Sequence, residues 1–135
     1  MPISQLLIET DLLADYLVAR PGESSLLRRA LSQVQCYTTM LNALELFRAA
    51  ESAVEREAVR AILTIVRVLG FPARTAEVAA DLFAVAKVNV TTRESVILGL
   101  AHASKLSILT QSHFERYKTL AIVPVFDALP MEPSA

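Results

Sequence analysis

Short apolar runs that pass directly into helical patterns constrain this chain more than any other feature of its sequence. Leu6 to Ile8 is such a run, and an amphipathic helical pattern begins immediately after it. Residues 36–39 (CYTT) behave in the same way, and Leu106 to Thr110 and Ala121 to Phe126 are two further candidate strands. Parallel strands need crossover connections, usually helices, and these cover both faces of the sheet. The alternation therefore predicts a three-layer α/β/α domain with a central parallel sheet.

The helices of this domain are marked by caps and polar stripes. The longest is predicted from about Glu51 to Leu69. Thr75 is expected to cap a helix that reaches about Ala86, and Thr92 a helix that runs through Ser104. The longest helix carries a polar stripe at helical spacing, which consists of Arg56, Arg60, Thr64 and Arg67. Such a stripe either follows a phosphate backbone or is a solvated helix face.

Length and composition set the class of protein. With 135 residues the chain suits one domain, predicted over 1–128, followed by a frayed tail at 129–135. Its apolar fraction of 53% is high, and part of that surface is expected in a homodimer interface. Charged residues interrupt the longest apolar stretches, so a membrane span is not expected. The single Cys36 and an N-terminus without a basic signal region favour the cytoplasm. A net charge of −1 gives no general attraction to nucleic acid.

Acidic residues recur where the predicted strands end. Glu9 comes directly after the first strand, and Glu45 lies one turn into the helix that follows CYTT. Glu94 lies in the first turn of the helix that starts near Thr92, and Thr110 to Ser112 follows the strand LSILT. Ligands of open α/β sheets collect beyond the carboxyl ends of the strands. These polar groups are therefore expected to converge at one edge of the sheet.

Three carboxylates that converge in this way repel one another, so the cluster is expected to hold a cation. Ligand sets made only of oxygen select hard ions such as Mg²⁺ or Mn²⁺. An ion bound in this way activates water and stabilises a phosphoryl transition state. Metal-assisted phosphoryl chemistry is what such a cluster would support.

Three segments of the chain resemble the PIN-domain family, and particularly its VapC-type toxin ribonucleases. LLIETDLLADYL is similar to the opening pattern vDTsvLidll, and TTMLNALELFRAA is similar to the second motif, in which a Glu stands in an aEl context. The segment that runs from TTRESVILGL to AIVPV is similar to the C-terminal block DalIaA.A...llT.D..F......v. Because order and spacing match along nearly the whole chain, the resemblance implies a PIN-like fold.

The resemblance also implies roles for individual residues. Glu9 takes the place of the family's first Asp, Glu45 that of its second-motif Glu, and Glu94 that of its third Asp. These three are the predicted metal-binding and catalytic residues. Ser112, or Gln111 if the loop is one residue shorter, falls where a fourth acid is often found, and Asp11 matches a variable position near the metal. Asp11 and Ser112 are therefore predicted to support the site. The family further implies an RNA substrate, a homodimer, and an antitoxin that inserts a peptide near the site.

Two functions are consistent with these residues. In the first, the chain is an endoribonuclease that depends on Mg²⁺ or Mn²⁺. In the second, it is a PIN-like module that binds a protein or RNA without cleaving it. The second is motivated by the two Asp-to-Glu replacements, at Glu9 and Glu94, and by the missing fourth acid, since Mg²⁺ tolerates misplaced ligands poorly. A third interpretation, a receiver-like signalling domain, needs a Lys at a strand end, and Lys87 and Lys105 are poorly placed for that.

Each candidate residue has a structural interpretation as well. Asp11 and Glu94 suit the first turn of a helix, where the helix dipole favours negative charge. Glu45 is three residues away from Arg48, and the two side chains can pair within one helix. Ser112 suits the N-cap of the short helix that follows it. The choice between these interpretations and metal binding depends on where the side chains meet.

Overall fold

Strands and helices alternate along the chain in the computed structural model, which describes residues 3–86 and 89–130. The strands of this part are β1 (Gln5–Ile8), β2 (Gln35–Thr39), β3 (Arg67–Leu69), β4 (Ser107–Leu109) and β5 (Val125–Phe126). The helices are α1 (Thr10–Val18), α2 (Leu26–Leu31), α3 (Met40–Ala49), α4 (Ala53–Ile65), α5 (Ala73–Ala86), α6 (Thr92–Ser104) and α7 (Phe114–Leu120).

The strands form one sheet in the order β3-β2-β1-β4-β5, and every neighbouring pair is parallel. β1 is central: Leu6 is in register with Cys36 of β2 on one side and with Ser107 of β4 on the other. The parallel sheet predicted from the sequence is therefore confirmed. The order also brings the carboxyl ends of β1, β2 and β4 side by side.

Two apolar cores lie on opposite faces of the sheet, because successive side chains of a strand point to opposite faces. Leu6 and Ile8 enter the first core, together with side chains of α1 to α4. Leu7 enters the second core, where it meets side chains of α5, α6 and α7 that include Phe83, Ile97 and Tyr117. The predicted three-layer arrangement is thus confirmed.

Side-chain caps determine where several helices begin. The residues whose side-chain oxygens accept a backbone N–H of the first turn are Glu9, Ser25, Thr39, Ser52 and Thr91. α6 is therefore capped by Thr91, one residue earlier than the predicted Thr92. The predicted cap Thr75 lies inside α5, which begins at Ala73. α6 thus begins one residue, and α5 three residues, before the position that its predicted cap would give.

The long helix predicted to reach Leu69 is wrong in its last part. α4 ends at Ile65, and Val66 adopts an extended conformation with φ −90° and ψ 118°. The next three residues form β3, which pairs with β2 at an edge of the sheet. The run IVRVL fits both a helical and a strand pattern, and pairing with β2 decides between them. Arg67 therefore lies on a strand, apart from Arg56 and Arg60 on α4.

The C-terminal part also differs from prediction. The strand expected from Ala121 to Phe126 is limited to β5, since Ala121 ends α7 in a left-handed conformation with φ 55°. The tail predicted at 129–135 begins with Leu129, which is buried in the first core, and its residues 131–135 lie outside the described part. Among the described residues no helix is long and apolar enough to cross a bilayer.

Candidate functional site

The carboxylate that follows β1 is buried at the predicted edge of the sheet. Glu9 is 0% exposed, and its backbone N–H donates to the carbonyl of Leu109 at 3.2 Å, which ties it to the end of β4. Its side chain turns back to accept the backbone N–H of Thr10 at 3.0 Å. Glu9 thus serves as the N-cap of α1. A cap made by a fully buried acid leaves a negative charge inside the domain, and that charge needs partners.

Glu45 of α3 meets this acid through Thr10. The Thr10 hydroxyl donates to Oε1 of Glu45 at 2.6 Å. Asn42, one turn before Glu45, donates from Nδ2 to Oε1 of Glu9 at 2.7 Å and to the Thr10 hydroxyl at 2.8 Å. The Asn42 amide is oriented by Thr39, whose backbone N–H and hydroxyl both donate to Oδ1. Two of the predicted site residues, Glu9 and Glu45, are therefore brought together.

Arg93, the second residue of α6, lies between the two carboxylates. Nη1 and Nη2 donate to Oε2 and Oε1 of Glu9 at 2.8 and 2.7 Å. Nε and Nη2 donate to Oε2 and Oε1 of Glu45, both at 2.8 Å. The guanidinium is thus bidentate to each acid, the strongest geometry that an arginine–carboxylate pair has. The cation of this cluster is supplied by the chain itself.

Tyr117 of α7 closes the cluster from the second core. Its ring is fully buried, and its hydroxyl accepts from Nη1 of Arg93 at 3.1 Å while it donates to Oε2 of Glu9. His113 stacks on the Tyr117 ring with 5.3 Å between the ring centroids. Its Nε2 lies 3.9 Å from Oε2 of Glu9. Residues from the junction of β1 and α1, and from α3, α6 and α7, therefore meet at one point.

The electrostatics of the cluster follow from these contacts. Burial by itself raises the pKa of Glu9, but the hydrogen bonds from Arg93, Tyr117 and Thr10 and the positive charge of Arg93 together outweigh burial, and the pKa lies below its usual value. Hydrogen bonds from Arg93 also lower the pKa of Glu45. Burial, together with the negative charge of Glu9, raises the pKa of the Tyr117 phenol. Glu9 and Glu45 are thus both anionic at neutral pH, and Tyr117 is a neutral donor.

Glu94 does not join this cluster, contrary to the prediction. Its Oε1 accepts the backbone N–H of Thr91 at 2.9 Å, which completes a capping box. Its Oε2 accepts from Nε of Arg116 at 2.7 Å, and this contact lowers the pKa of Glu94 to about 2. Glu94 therefore has the structural role that its place in the first turn allowed. Across residues 3–86 and 89–130, no three acidic, His or Cys side chains are grouped so that they could hold a metal ion.

Asp11 and Ser112 meet each other, and the hydrogen bonds of Asp11 are made to the loop after β4. Asp11 accepts the backbone N–H groups of Gln111 and Ser112 at 2.8 and 3.0 Å, and the Thr110 hydroxyl at 2.9 Å. Burial raises the pKa of Asp11, but the hydrogen bonds from Ser112, Gln111 and Thr110 act in the opposite direction, and the pKa lies below its usual value. Asp11 thus fixes the loop after β4. The N-cap of α7 is His113, not Ser112.

A divalent ion is implied by the PIN-like fold, and the donor set decides whether these residues suit one. Oε1 of Glu9 accepts three donors, from Thr10, Asn42 and Arg93, and Oε2 accepts from Arg93 and Tyr117. Both oxygens of Glu45 are likewise engaged by Arg93. A magnesium site needs several free oxygen ligands in octahedral geometry. The residues present do not fit a divalent ion while Arg93 is in place.

Arg93, Tyr117 and Asn42 were not identified from the sequence as site residues. One signal was available for Arg93: an acid predicted at the end of a buried strand requires a nearby cation. Arg93 is a basic residue in the same first turn as Glu94, so it was a candidate for that partner. For Tyr117 and Asn42 the sequence offers no such signal. Their contacts depend on how α7 and α3 pack against β1.

Similar folds occur in solved toxin–antitoxin structures. The chain superposes on VapBC2 from Rickettsia felis, solved bound to a promoter DNA fragment, with a TM-score of 0.71, 10% identity and coverage of 90% of this chain and 97% of the other. FitAcB from Neisseria gonorrhoeae superposes with a TM-score of 0.69 and 19% identity, over 90% of this chain and 96% of the other. DNA-bound VapBC from Salmonella typhimurium superposes with a TM-score of 0.67 and 15% identity, over 92% of this chain and 98% of the other. No family model matches the sequence, and no curated protein matches it either. These likenesses confirm the PIN-domain fold that the sequence motifs predicted.

Proposed function

We propose that this chain, a PIN fold shared with toxin–antitoxin structures, binds an antitoxin-type protein partner and does not hydrolyse RNA at its own carboxylates. The observation that carries the proposal is the bidentate contact of Arg93 with both Glu9 and Glu45. Metal-dependent hydrolysis requires an ion that orients a water, and general-base hydrolysis requires a carboxylate that accepts a proton. Arg93 removes both options, because it neutralises the acids and lowers their pKa values.

An apolar groove on the surface favours a protein as the binding partner. It lies among α1, α3 and α4 and encloses about 320 Å³. Most of its lining is aliphatic and includes Ala14, Leu17, Leu46, Ala50, Ala58 and Val59. Val18 also lines it and is 80% exposed, so part of the apolar lining is open to a partner. A groove between helices with these dimensions suits the apolar face of a helical peptide. The antitoxin complexes with the same fold are consistent with this choice of partner.

The first test is RNA turnover. Purified wild type and Glu45→Gln are incubated with a structured RNA in the presence of Mn²⁺ and, separately, Mg²⁺, and the products are separated by gel electrophoresis. We expect no cleavage above the level of the Glu45→Gln protein, because Arg93 occupies both carboxylates. Cleavage by the wild type that disappears in Glu45→Gln would instead establish the metal-dependent ribonuclease, the first function considered from the sequence. RNA as a ligand, a homodimer and a cytoplasmic location remain predictions.

The second test addresses the partner. The chain is co-expressed with the protein encoded next to it, and the affinity of the purified pair is measured by calorimetry. Ala14→Glu places a charge in the groove at an exposed position, and we expect at least a tenfold loss of affinity. Ala80→Glu is the matched control, because Ala80 is an exposed alanine on α5, which packs on the opposite face of the sheet. Equal affinities for the two variants would reject the groove as the binding site.

A further inference from the structure

The position of one nitrogen atom defines what the site can hold. Nη2 of Arg93 lies 2.7 Å from Oε1 of Glu9 and 2.8 Å from Oε1 of Glu45. Thr10 also lies against this nitrogen, with its hydroxyl 3.4 Å away. A divalent ion shared by the same two oxygens would need a distance of about 2.0–2.1 Å to each of them. On this side of the carboxylates that space is already filled by the guanidinium.

We infer that Arg93 is the resident cation of this site, and that the site takes a divalent ion only when Arg93 is removed. In the wild type the two acids are a latent metal site, because Arg93 supplies the positive charge that a metal ion would otherwise supply. This inference rests on the proposed function, in which the same contacts prevent hydrolysis. It goes further, because it states which single side chain stands between this chain and metal binding.

The start of α6 explains why an arginine and not an acid faces the cluster. Thr91 caps the helix, and its capping box with Glu94 holds that carboxylate at the helix end. Arg116 of α7 binds the same carboxylate, with 2.7 Å between Nε and Oε2. Consecutive helical residues point about 100° apart, so Arg93 faces Glu9 and Glu45 while Glu94 is held toward Thr91 and Arg116. An acid at position 93 would therefore face Glu9 and Glu45.

The contacts of Arg93 also show that it is held firmly. All three guanidinium nitrogens donate to side chains of the site, and these side chains come from separate elements. Glu9, the main partner, is fully buried. Removal of the guanidinium from such an acid would leave an unpaired buried charge, which is strongly unfavourable. A divalent ion that took this place would have to replace all of these hydrogen bonds.

The experiment measures Mn²⁺ binding by calorimetry and by loss of the six-line electron paramagnetic resonance signal of free Mn²⁺. Wild type is expected to show no site. Arg93→Asp removes the guanidinium and adds a third carboxylate at the same position of the chain, and is expected to bind one Mn²⁺ at least tenfold more tightly than wild type. Arg93→Asn, which has the same size without the charge, is the matched control. Binding by Arg93→Asp is expected to be lost when Glu45→Gln is added.

Some outcomes would overturn the inference. It is wrong if wild type binds Mn²⁺ within threefold of the affinity of Arg93→Asp, or if Arg93→Asp is folded and binds none. If Arg93→Asp is unfolded without metal, circular dichroism must show that Mn²⁺ restores its helices, and Arg93→Met must bind Mn²⁺ at least tenfold more tightly than wild type. Failure of both would reject the inference.

The inference and the proposed function can fail separately. Wild type that binds Mn²⁺ and leaves RNA intact contradicts this inference alone, whereas failed binding of the partner contradicts only the proposed function.

Discussion

Replacing Arg93 with methionine is expected to lower the free energy of unfolding by about 3–5 kcal/mol. Methionine keeps most of the apolar stem but removes the guanidinium, so Glu9 stays at 0% exposure without its cation. Glu45 loses its partner as well, but its side chain is 31% exposed, and water compensates part of that loss. The main cost therefore comes from Glu9. Equilibrium unfolding in urea at about pH 7 measures the change.

Two control variants separate charge from packing. Arg93→Met combined with Glu9→Gln removes both members of the buried pair, and most of the lost stability is expected to return, because no unpaired buried charge remains. Arg60→Met breaks an exposed pair with Glu57 on α4 and is expected to change stability by no more than about 1 kcal/mol. If the single Arg93→Met variant has a free energy of unfolding within about 1 kcal/mol of wild type, the buried charge of Glu9 does not depend on Arg93 for its stabilisation.

Local pattern determined most of the fold. Leu6 to Ile8 is apolar on both faces, which is typical of a central parallel strand, and β1 is central in the sheet. β3 was missed because Arg67 to Leu69 continues the apolar pattern of the preceding helix. Only its pairing with β2, in which Tyr37 is in register with Arg67, distinguishes a strand from another helical turn. Contacts between segments distant in sequence decide such a case.

The part of the site that is positioned by the strands of the sheet could be predicted from the sequence. Glu9 and Glu45 were placed correctly, because the sheet brings the end of β1 beside the start of α3. Glu94 was placed wrongly because the predicted cap, Thr92, is one residue later than the actual cap, Thr91. A shift of one residue rotates the helix face by about 100° and exchanges Glu94 for Arg93. Sequence patterns locate helix ends less accurately than this site requires.

Asp11 illustrates a second kind of limit. Its place in the first turn of α1 made it either a cap or a supporting residue of the site. In the structure it binds the backbone of Gln111 and Ser112, about a hundred residues away in sequence. Such a contact depends on the neighbouring positions of β1 and β4, and on a loop conformation that no local pattern specifies. The chemical type of Asp11 was evident from the sequence, but its partners were not.

The wild type is expected to lose stability on acidification below about pH 4.5. The pKa of Glu9 in the folded protein lies below its ordinary value of 4.5, and Glu45 is shifted in the same direction. A group of this kind contributes stability that is fully present above the unfolded pKa and is lost as the pH falls through the folded pKa. Protonation breaks the bidentate contacts with Arg93. Urea unfolding at a series of pH values between about 7 and 3 measures the loss.

Arg93→Met is expected to respond to acid in the opposite direction. Without the guanidinium, burial dominates at Glu9 and raises its folded pKa above the unfolded value. The folded state then binds more protons than the unfolded state, so the variant gains stability as the pH falls through that raised pKa. The two stability curves therefore approach each other on acidification, while the double variant with Glu9→Gln lacks this gain. Curves for wild type and Arg93→Met that stay parallel down to about pH 3 would mean that the charge of Glu9 does not depend on Arg93.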